Sequence, residues 1–344
     1  MKTSRASAAA QAEQIPFSSV FSDHMFVARF SDGRWQDAAI REYGALPLAP
    51  NISSLQYGLS VFEGLKAHRT SHGRVALFRP AANAARLNRS AARLAMPSVP
   101  EDLFLHSLRE LVKLDQDWVP PAERGALYVR PCLFSTDPSV RVKPPEECLF
   151  VIFTFPFTHY YTGSVDLLVS EHYVRAFPGG TGDVKPAGNY APTLVAERVA
   201  REAGMHSVLW LDGIEHSYVE ECGVMNVFFV IDDIVVTPPL GGTILPGVTR
   251  DSALTVLRDL GRHVVERPIS LKEIFTAHQA GTLRECFGTG TAATVSHVRR
   301  IRHQDRDIEL APPGDDSTGS VLRRQLVAIA TGQIPDTHGW LDVV

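Results

Sequence analysis

Lys185 stands in the segment GGTGDVKPAGNYA, residues 179–191, between a glycine-rich approach and an extended exit. Pro186 disfavours helical backbone at Lys185, so the amine is displayed from strand-like chain. Glycines on both sides permit close approach of another group. An amine displayed in this way serves as a nucleophile when burial or nearby cations destabilise its charge, although the same segment also reads as a solvated loop lysine. A second segment, ILPGVTRDSA at 244–253, sets a Gly-Val-Thr turn directly before a helix. Backbone N–H groups and the positive end of the helix dipole make such a turn an anion site, and the Thr249 hydroxyl adds a bond. An ordinary helix cap uses the same residue types. FGTGTAAT at 287–294 is a further Gly/Thr turn, a common pattern by itself. In YVEECGVMNVFFV at 218–230, Glu220 and Glu221 precede a continuous apolar strand. A carboxylate there is either solvated at a strand edge or holds a buried partner. Phe62, in SLQYGLSVFEGLKAHR at 54–69, reads as core packing. Arg86 reads as a solvated helical arginine unless it caps a phosphate.

The elements that must position these residues alternate between strand and helix. VALFRP at 75–80 ends a strand, and a helix follows through AANAARLNRSAARLAM. EDLFLHSLRELVKL, 101–114, carries apolar residues at three- and four-residue steps and predicts another helix. GALYVRPCLF and ECLFVIFTF are rich in aromatic and branched residues and predict strands. THYYTGS at 158–164 interrupts the pattern and marks a linker, with a smaller domain over 1–157 and a larger one over 165–344. In the second part a helix is expected from Pro192 to Gly204. SVLWLDG and NVFFVIDDIVVTP follow as strands, with Asp232-Asp233 as a turn. Thr249 precedes a helix ended by Gly261, and Ser270 with Glu273 predicts a capping box for a helix ending near Gly281. The class is therefore α/β or α+β.

A chain of 344 residues can bury two cores. Its formal net charge of −4, with scattered basic residues, points away from nucleic acid and membrane surfaces. The four cysteines, Cys132, Cys148, Cys222 and Cys286, form no CxxC pair, so neither a disulfide framework nor a metal site is expected. The longest apolar run, CLFVIFTFPF, is too short to span a bilayer. Residues 1–15 lack the apolar stretch of a secretory signal and read as a transit-like or frayed terminus, which leaves a cytoplasmic protein as the default.

Taken in order, VFEGLKA, LFRP with NAARLNRSAARLAMP, LYVRP, GGTGDVK with GNYAPTLVA, VLWLDG, VEECGVMNVFFV, TPPLGGTILPGVTR, FGTGTAATV and the closing GW resemble the branched-chain aminotransferases. These are fold-type IV enzymes that use pyridoxal 5'-phosphate, and the resemblance runs from about residue 20 onward. It implies a small α/β domain, a larger pseudo-barrel α/β domain, and a homodimer or higher homo-oligomer. It implies that Lys185 is the Schiff-base lysine, that Tyr190 bonds the cofactor phenolate, and that Glu221 meets the pyridine nitrogen. Arg86, Val248, Thr249 and Thr291 match phosphate-holding positions. Tyr57 and Arg130, with the Thr291-Ala292 backbone, match groups that receive substrate carboxylates. Phe21, Phe62, Tyr128 and one of Tyr160 or Tyr161 match the wall of a side-chain pocket. The implied reaction passes an amino group between an L-branched-chain amino acid and 2-oxoglutarate.

Several positions depart from the family pattern. Pro186-Ala187-Gly188 stands where two glycines usually precede Asn-Tyr, and Val224 stands where a smaller or hydroxylated residue is common. Arg141, in the loop DPSVRV, replaces a glycine and is expected to alter the pocket entrance toward acidic or polar substrates. Ala293 and Ser296 occupy the positions of a CxxC found in some relatives, so no thiol switch is expected. Three other readings use the same residue types: a D-amino acid aminotransferase, a lyase acting on an aminodeoxychorismate-type substrate, and a degenerate binding protein.

Overall fold

The computed structural model describes residues 14–158, 160, 161 and 163–344. The chain divides into two compact units. Among the described residues, the first comprises those up to Tyr160, Val184–Gly188 and Ala328–Val344; the second comprises those of Tyr161–Asp183 and Asn189–Val327. Residues 1–13 of the terminal stretch, and residues 159 and 162 of the expected linker, lie outside the described residues.

The first unit is built on an antiparallel sheet. Its strands are β1 (His24–Ser31), β2 (Arg34–Glu42), β3 (Ser60–Phe62), β4 (Leu65–Arg69), β5 (Val75–Phe78), β6 (Ala126–Ser135) and β7 (Cys148–Phe157), with Leu341–Val343 added beside β5. A short helix, α1 (Ser53–Tyr57), precedes β3, and α2 (Pro80–Arg93) and α3 (Glu101–Leu114) bury one face each. Pro80 at the first position of α2 has no N–H to lose there. Glu101 and Asp102 in the first turn of α3, with Lys113 in the last, suit the helix dipole. Phe104, Leu108, Leu111 and Val112 of α3 join Ala84, Leu87 and Ala91 of α2 in one core with Leu65, Leu77, Leu127 and Val129 of the sheet.

The second unit contains a closed ring of strands. They are β8 (Val165–Val169), β9 (Ser207–Leu211), β10 (Val219–Cys222), β11 (Met225–Ile231), β14 (Leu283–Gly290) and β15 (Thr294–His303), and β10 pairs with both β9 and β11 to close the circuit. β12 (Ile234–Thr237) and β13 (His263–Glu266) extend from β11, and β16 (Arg306–Glu309) extends from β15. Closure leaves no unpaired edge among the six ring strands. Three helices belong to this unit, α4 (Leu194–Glu202), α5 (Val248–Asp259) and α6 (Leu271–Gln279), and α7 (Thr318–Ala330) runs from it into the first.

Two expectations need correction. The sequence division placed everything after residue 164 in one domain, yet Val184–Gly188 and Ala328–Val344 pack with the first unit. Leu341 pairs with Phe78, and Lys185 is bonded to α2 and β3, contacts that hydrophobic period along the chain does not reveal. The capping box at α6 is half made. Ser270 accepts from the Glu273 N–H at 3.1 Å, but the Glu273 carboxylate goes to Arg267 instead of returning to the cap. Arg267, a stronger partner than a backbone N–H, takes it.

Candidate active site

The candidate residues fall in two groups, one in each unit. In the first unit, one face of α2 does most of the positioning. Asn83, Arg86 and Ser90 recur at helical spacing, so their side chains leave the same side. Glu63, fully buried just after β3, receives Arg86 in two bonds, Nε to Oε1 at 2.7 Å and Nη2 to Oε2 at 2.8 Å. Asn83 Nδ2 adds a bond of 2.7 Å to Glu63 Oε2. Burial pushes the Glu63 carboxyl up, but Arg86, the charge of Lys185 and Asn83 together hold it below the ordinary value. Arg86 is therefore a buried, paired arginine, not a solvated one.

Ser90 accepts the Lys185 backbone N–H at 2.9 Å and donates to the Arg86 carbonyl at 2.9 Å. The Lys185 carbonyl accepts from Phe62 N–H at 3.1 Å, and Pro186 bridges Val61. The lysine backbone is thus held on both sides, and its Nζ lies 4.7 Å from the Phe62 ring centre. Arg130 approaches the same ring, its guanidinium carbon 4.6 Å from the centre and 5.3 Å from that of Tyr128. A cation beside an aromatic ring gains attraction from the ring's charge distribution. Phe62 is accordingly a contact for two cations, beyond the core role its sequence suggested.

An aromatic cluster adjoins Tyr128, which is nearly fully buried. Phe17 meets Tyr128, Phe155, Phe157 and Tyr160 edge-on at 4.9–5.3 Å. Of the two candidate tyrosines, Tyr160 belongs to this cluster, while Tyr161 packs on the core of the second unit. Phe21 stacks on Tyr43 at 5.0 Å and approaches Phe155 at 5.7 Å. Gly64 lies against the Tyr128 hydroxyl so closely that any Cβ there would collide with it. Tyr57, half exposed, donates to the Val140 carbonyl in the loop that carries Arg141. That loop is closed by Asp137, whose carboxylate accepts from Glu146 and Glu147 N–H at 2.9 and 2.8 Å.

In the second unit, the β10–β11 hairpin carries Glu221 opposite Asn226. Glu221 Oε1 accepts from Leu245 N–H at 2.8 Å, and Asn226 Nδ2 donates to the Leu245 carbonyl at 2.9 Å. The two cross-strand partners hold both polar groups of one residue and so fix the turn before α5. Arg175 Nε lies 3.1 Å from Glu221 Oε2, and both side chains are buried. Gly247 is the N-cap of α5, with no side-chain cap, and a Cβ there would strike Asn226 Oδ1. Val248 and Thr249 form the first turn, so Thr249 is inside the helix and not its cap. Thr291 and Ala292 lie in the turn joining β14 to β15, next to Thr289, whose buried hydroxyl has no protein partner. Tyr190, half-buried, precedes α4. Val224 sits exposed at the hairpin turn between β10 and β11.

The amino-transferase class IV family model matches residues 60–301, more than two thirds of the chain. This chain belongs to the amino-transferase class IV family. Among similar curated proteins, the branched-chain-amino-acid aminotransferase of Mycolicibacterium smegmatis is 42% identical over 334 residues, 94% of this chain and 91% of that protein. Branched-chain-amino-acid transaminase 1 of Bacillus subtilis is 43% identical over 332 residues, with 94% and 92% covered. Among solved structures, the Escherichia coli branched-chain amino acid aminotransferase aligns with a TM-score of 0.77 at 25% identity, covering 93% of this chain and 99% of that one. A branched-chain amino acid aminotransferase from T.th., complexed with N-(5'-phosphopyridoxyl)-L-glutamate, aligns with a TM-score of 0.76 at 26% identity, covering 92% and 97%.

Class IV aminotransferases work with pyridoxal phosphate, and the donors present suit that cofactor. They include a primary amine on a fixed backbone, a buried carboxylate bonded at one oxygen with Arg175 beside the other, and a helix start whose glycine N-cap makes no side-chain cap hydrogen bond. The unpartnered Thr289 hydroxyl is a further polar group beside a Gly/Thr turn. Sequence reasoning missed Phe17, Glu63, Ser90 and Arg175. The rule that a buried carboxylate requires a partner, applied to Glu221, calls for a cation such as Arg175 without saying where it lies.

Proposed function

We propose that this aminotransferase exchanges amino groups between L-branched-chain amino acids and 2-oxoglutarate, as a cytoplasmic homodimer or higher homo-oligomer. The observation that carries the site assignment is the tethering of Lys185 through Ser90, Phe62 and Val61, which fixes one amine beside an aromatic ring. The names of the similar enzymes support the substrate class. Among the described residues, no helix is long and apolar enough to cross a membrane.

When bound, pyridoxal phosphate supplies an aldehyde that condenses with amines and a ring that withdraws electrons. Lys185 Nζ would hold it and carry the proton taken from the amino acid Cα. By the resemblance, Glu221 would hold the ring nitrogen and Tyr190 the phenolate oxygen. Val248 and Thr249 at the start of α5 and Thr291, in the second unit, and Arg86, in the first, each match a phosphate-holding position. In the first unit, Phe21, Phe62, Tyr128 and Tyr160 would exclude water from an apolar side chain, and Arg130 with Tyr57 would receive carboxylates; in the second, the Thr291-Ala292 backbone matches a carboxylate-receiving position. These residue types suit a branched chain and an acidic chain in turn.

Borohydride reduction of the holoprotein tests the site. A phosphopyridoxyl adduct at Lys185 is expected, and an adduct at another lysine overturns the assignment. L-Leucine added alone is expected to shift the cofactor spectrum, and a response to D-amino acids instead would move the substrate class.

A further inference from the structure

Glu220 and Glu221 are consecutive, and in a regular strand their side chains would face opposite ways. They do not behave as a regular pair. Val219 lies opposite Leu211 of β9 but Glu221 lies opposite Trp210, so Glu220 is the extra residue of a β-bulge. Both carboxylates are buried, at 6% and 4% exposure, and both feel Arg175. Thr243 joins the group: its hydroxyl donates to Glu220 Oε1, while its carbonyl accepts from Arg175 Nη2. The other oxygen of Glu220 is buried with no hydrogen-bond partner. A buried carboxylate with one oxygen unserved costs stability. A position serving the fold alone would favour a neutral residue there.

We propose that Glu220 is a positioning residue that acts through Glu221, sharing the charge of Arg175 so that Glu221 keeps a strong hold on a cation placed before it. The proposal rests on the assignment of Glu221 to the cofactor ring nitrogen. The groups facing Glu220 are the Thr243 hydroxyl, Arg175, Glu221 and Asp212. Burial pushes its carboxyl above the ordinary value, and the charges of Glu221 and Asp212 add to this against Thr243 and Arg175. A raised value in the folded state means that stability is present at low pH and is lost as pH rises through it.

The test compares wild type, Glu220→Gln, Glu220→Asp, Glu221→Gln and the double Gln variant. Thermal unfolding of the cofactor-free chain and pyridoxal phosphate affinity are both followed from pH 5 to 8.5. Glu220→Gln is expected to raise the Tm by about 3 °C at pH 8, with the gap closing toward pH 5. The same variant is expected to weaken cofactor affinity about tenfold at pH 8, with Glu220→Asp close to wild type. In the Glu221→Gln background the Glu220 change is expected to add nothing. A Tm below wild type at every pH, an unchanged affinity, an equal loss in Glu220→Asp, or an undiminished effect without Glu221 each overturns the proposal. Should Glu221→Gln itself leave affinity unchanged, the ring-nitrogen assignment fails first. Loss in Glu221→Gln without loss in Glu220→Gln sinks the role of Glu220 alone.

Discussion

Glu63 shows how much one side chain organises. It collects Arg86 and Asn83 from α2 and lies within electrostatic reach of Lys185. Glu63→Ala strands a buried guanidinium and is expected to cost about 3–5 kcal/mol in denaturant unfolding. The paired change Glu63→Leu with Arg86→Met should cost much less than the two singles summed, since no lone charge remains. The folded-state value of Glu63 is lowered, so its contribution is present above the ordinary carboxyl range and disappears as pH falls through the folded value. Acid unfolding of Glu63→Gln should therefore be less steep than that of wild type below about pH 4.5. Ser90→Ala should cost about 1–2 kcal/mol and speed hydrogen exchange at the Lys185 amide, while Ser90→Thr restores protection. Unchanged exchange in Ser90→Ala would remove the serine from the tether. Gly64 and Tyr128 form a coupled pair, because the glycine is what leaves room for the phenol. Gly64→Ala should displace Tyr128 and weaken binding of branched-chain substrates, and adding Tyr128→Ala should relieve part of that strain.

The hairpin β10–β11 is the element that shapes the turn before α5. Glu221 and Asn226 clasp Leu245 from both sides, and Gly247 follows in contact with Asn226. Gly247→Ala must push Asn226 from its bond to the Leu245 carbonyl. Its affinity for inorganic phosphate should fall at least tenfold, with a stability loss of about 1–3 kcal/mol, while unaltered phosphate affinity would count against the turn. Elements such as these were partly readable beforehand. The helix expected over 101–114 is the helix observed, because its apolar period and end charges agree. Tyr128 and Arg130 enter through the resemblance of LYVRP and not through period or spacing; the structure sets them on one strand, two residues apart. The contact of Phe17 with Tyr128, and of Arg175 with Glu221, joins residues 111 and 46 positions apart in the numbering, differences of 128 − 17 and 221 − 175. Period and local spacing carry no information at that range. The bulge at Glu220 was illegible for a different reason, since only the partner strand's register reveals an extra residue.

At the scale of the whole molecule, both units are discontinuous along the chain. A fragment ending at residue 160 lacks Val184–Gly188 and the strand beside β5, and it is expected to unfold without cooperativity when expressed alone. A sharp calorimetric transition from that fragment would contradict the division. Trp340 anchors the returning chain through Phe78 at 5.6 Å and Arg79 at 5.0 Å. Trp340→Ala should cost about 3 kcal/mol, seen as a lower Tm. The pairing of Leu341 with Phe78 also sets an order of events on the ribosome. Residues 161–327 have all emerged before the strand at 341–343 exists, so the part of the protein translated first is the part that finishes folding last. Its incomplete sheet waits with β5 uncovered through most of synthesis, and a stalled or prematurely stopped chain exposes that edge to whatever chaperone or neighbouring nascent chain reaches it.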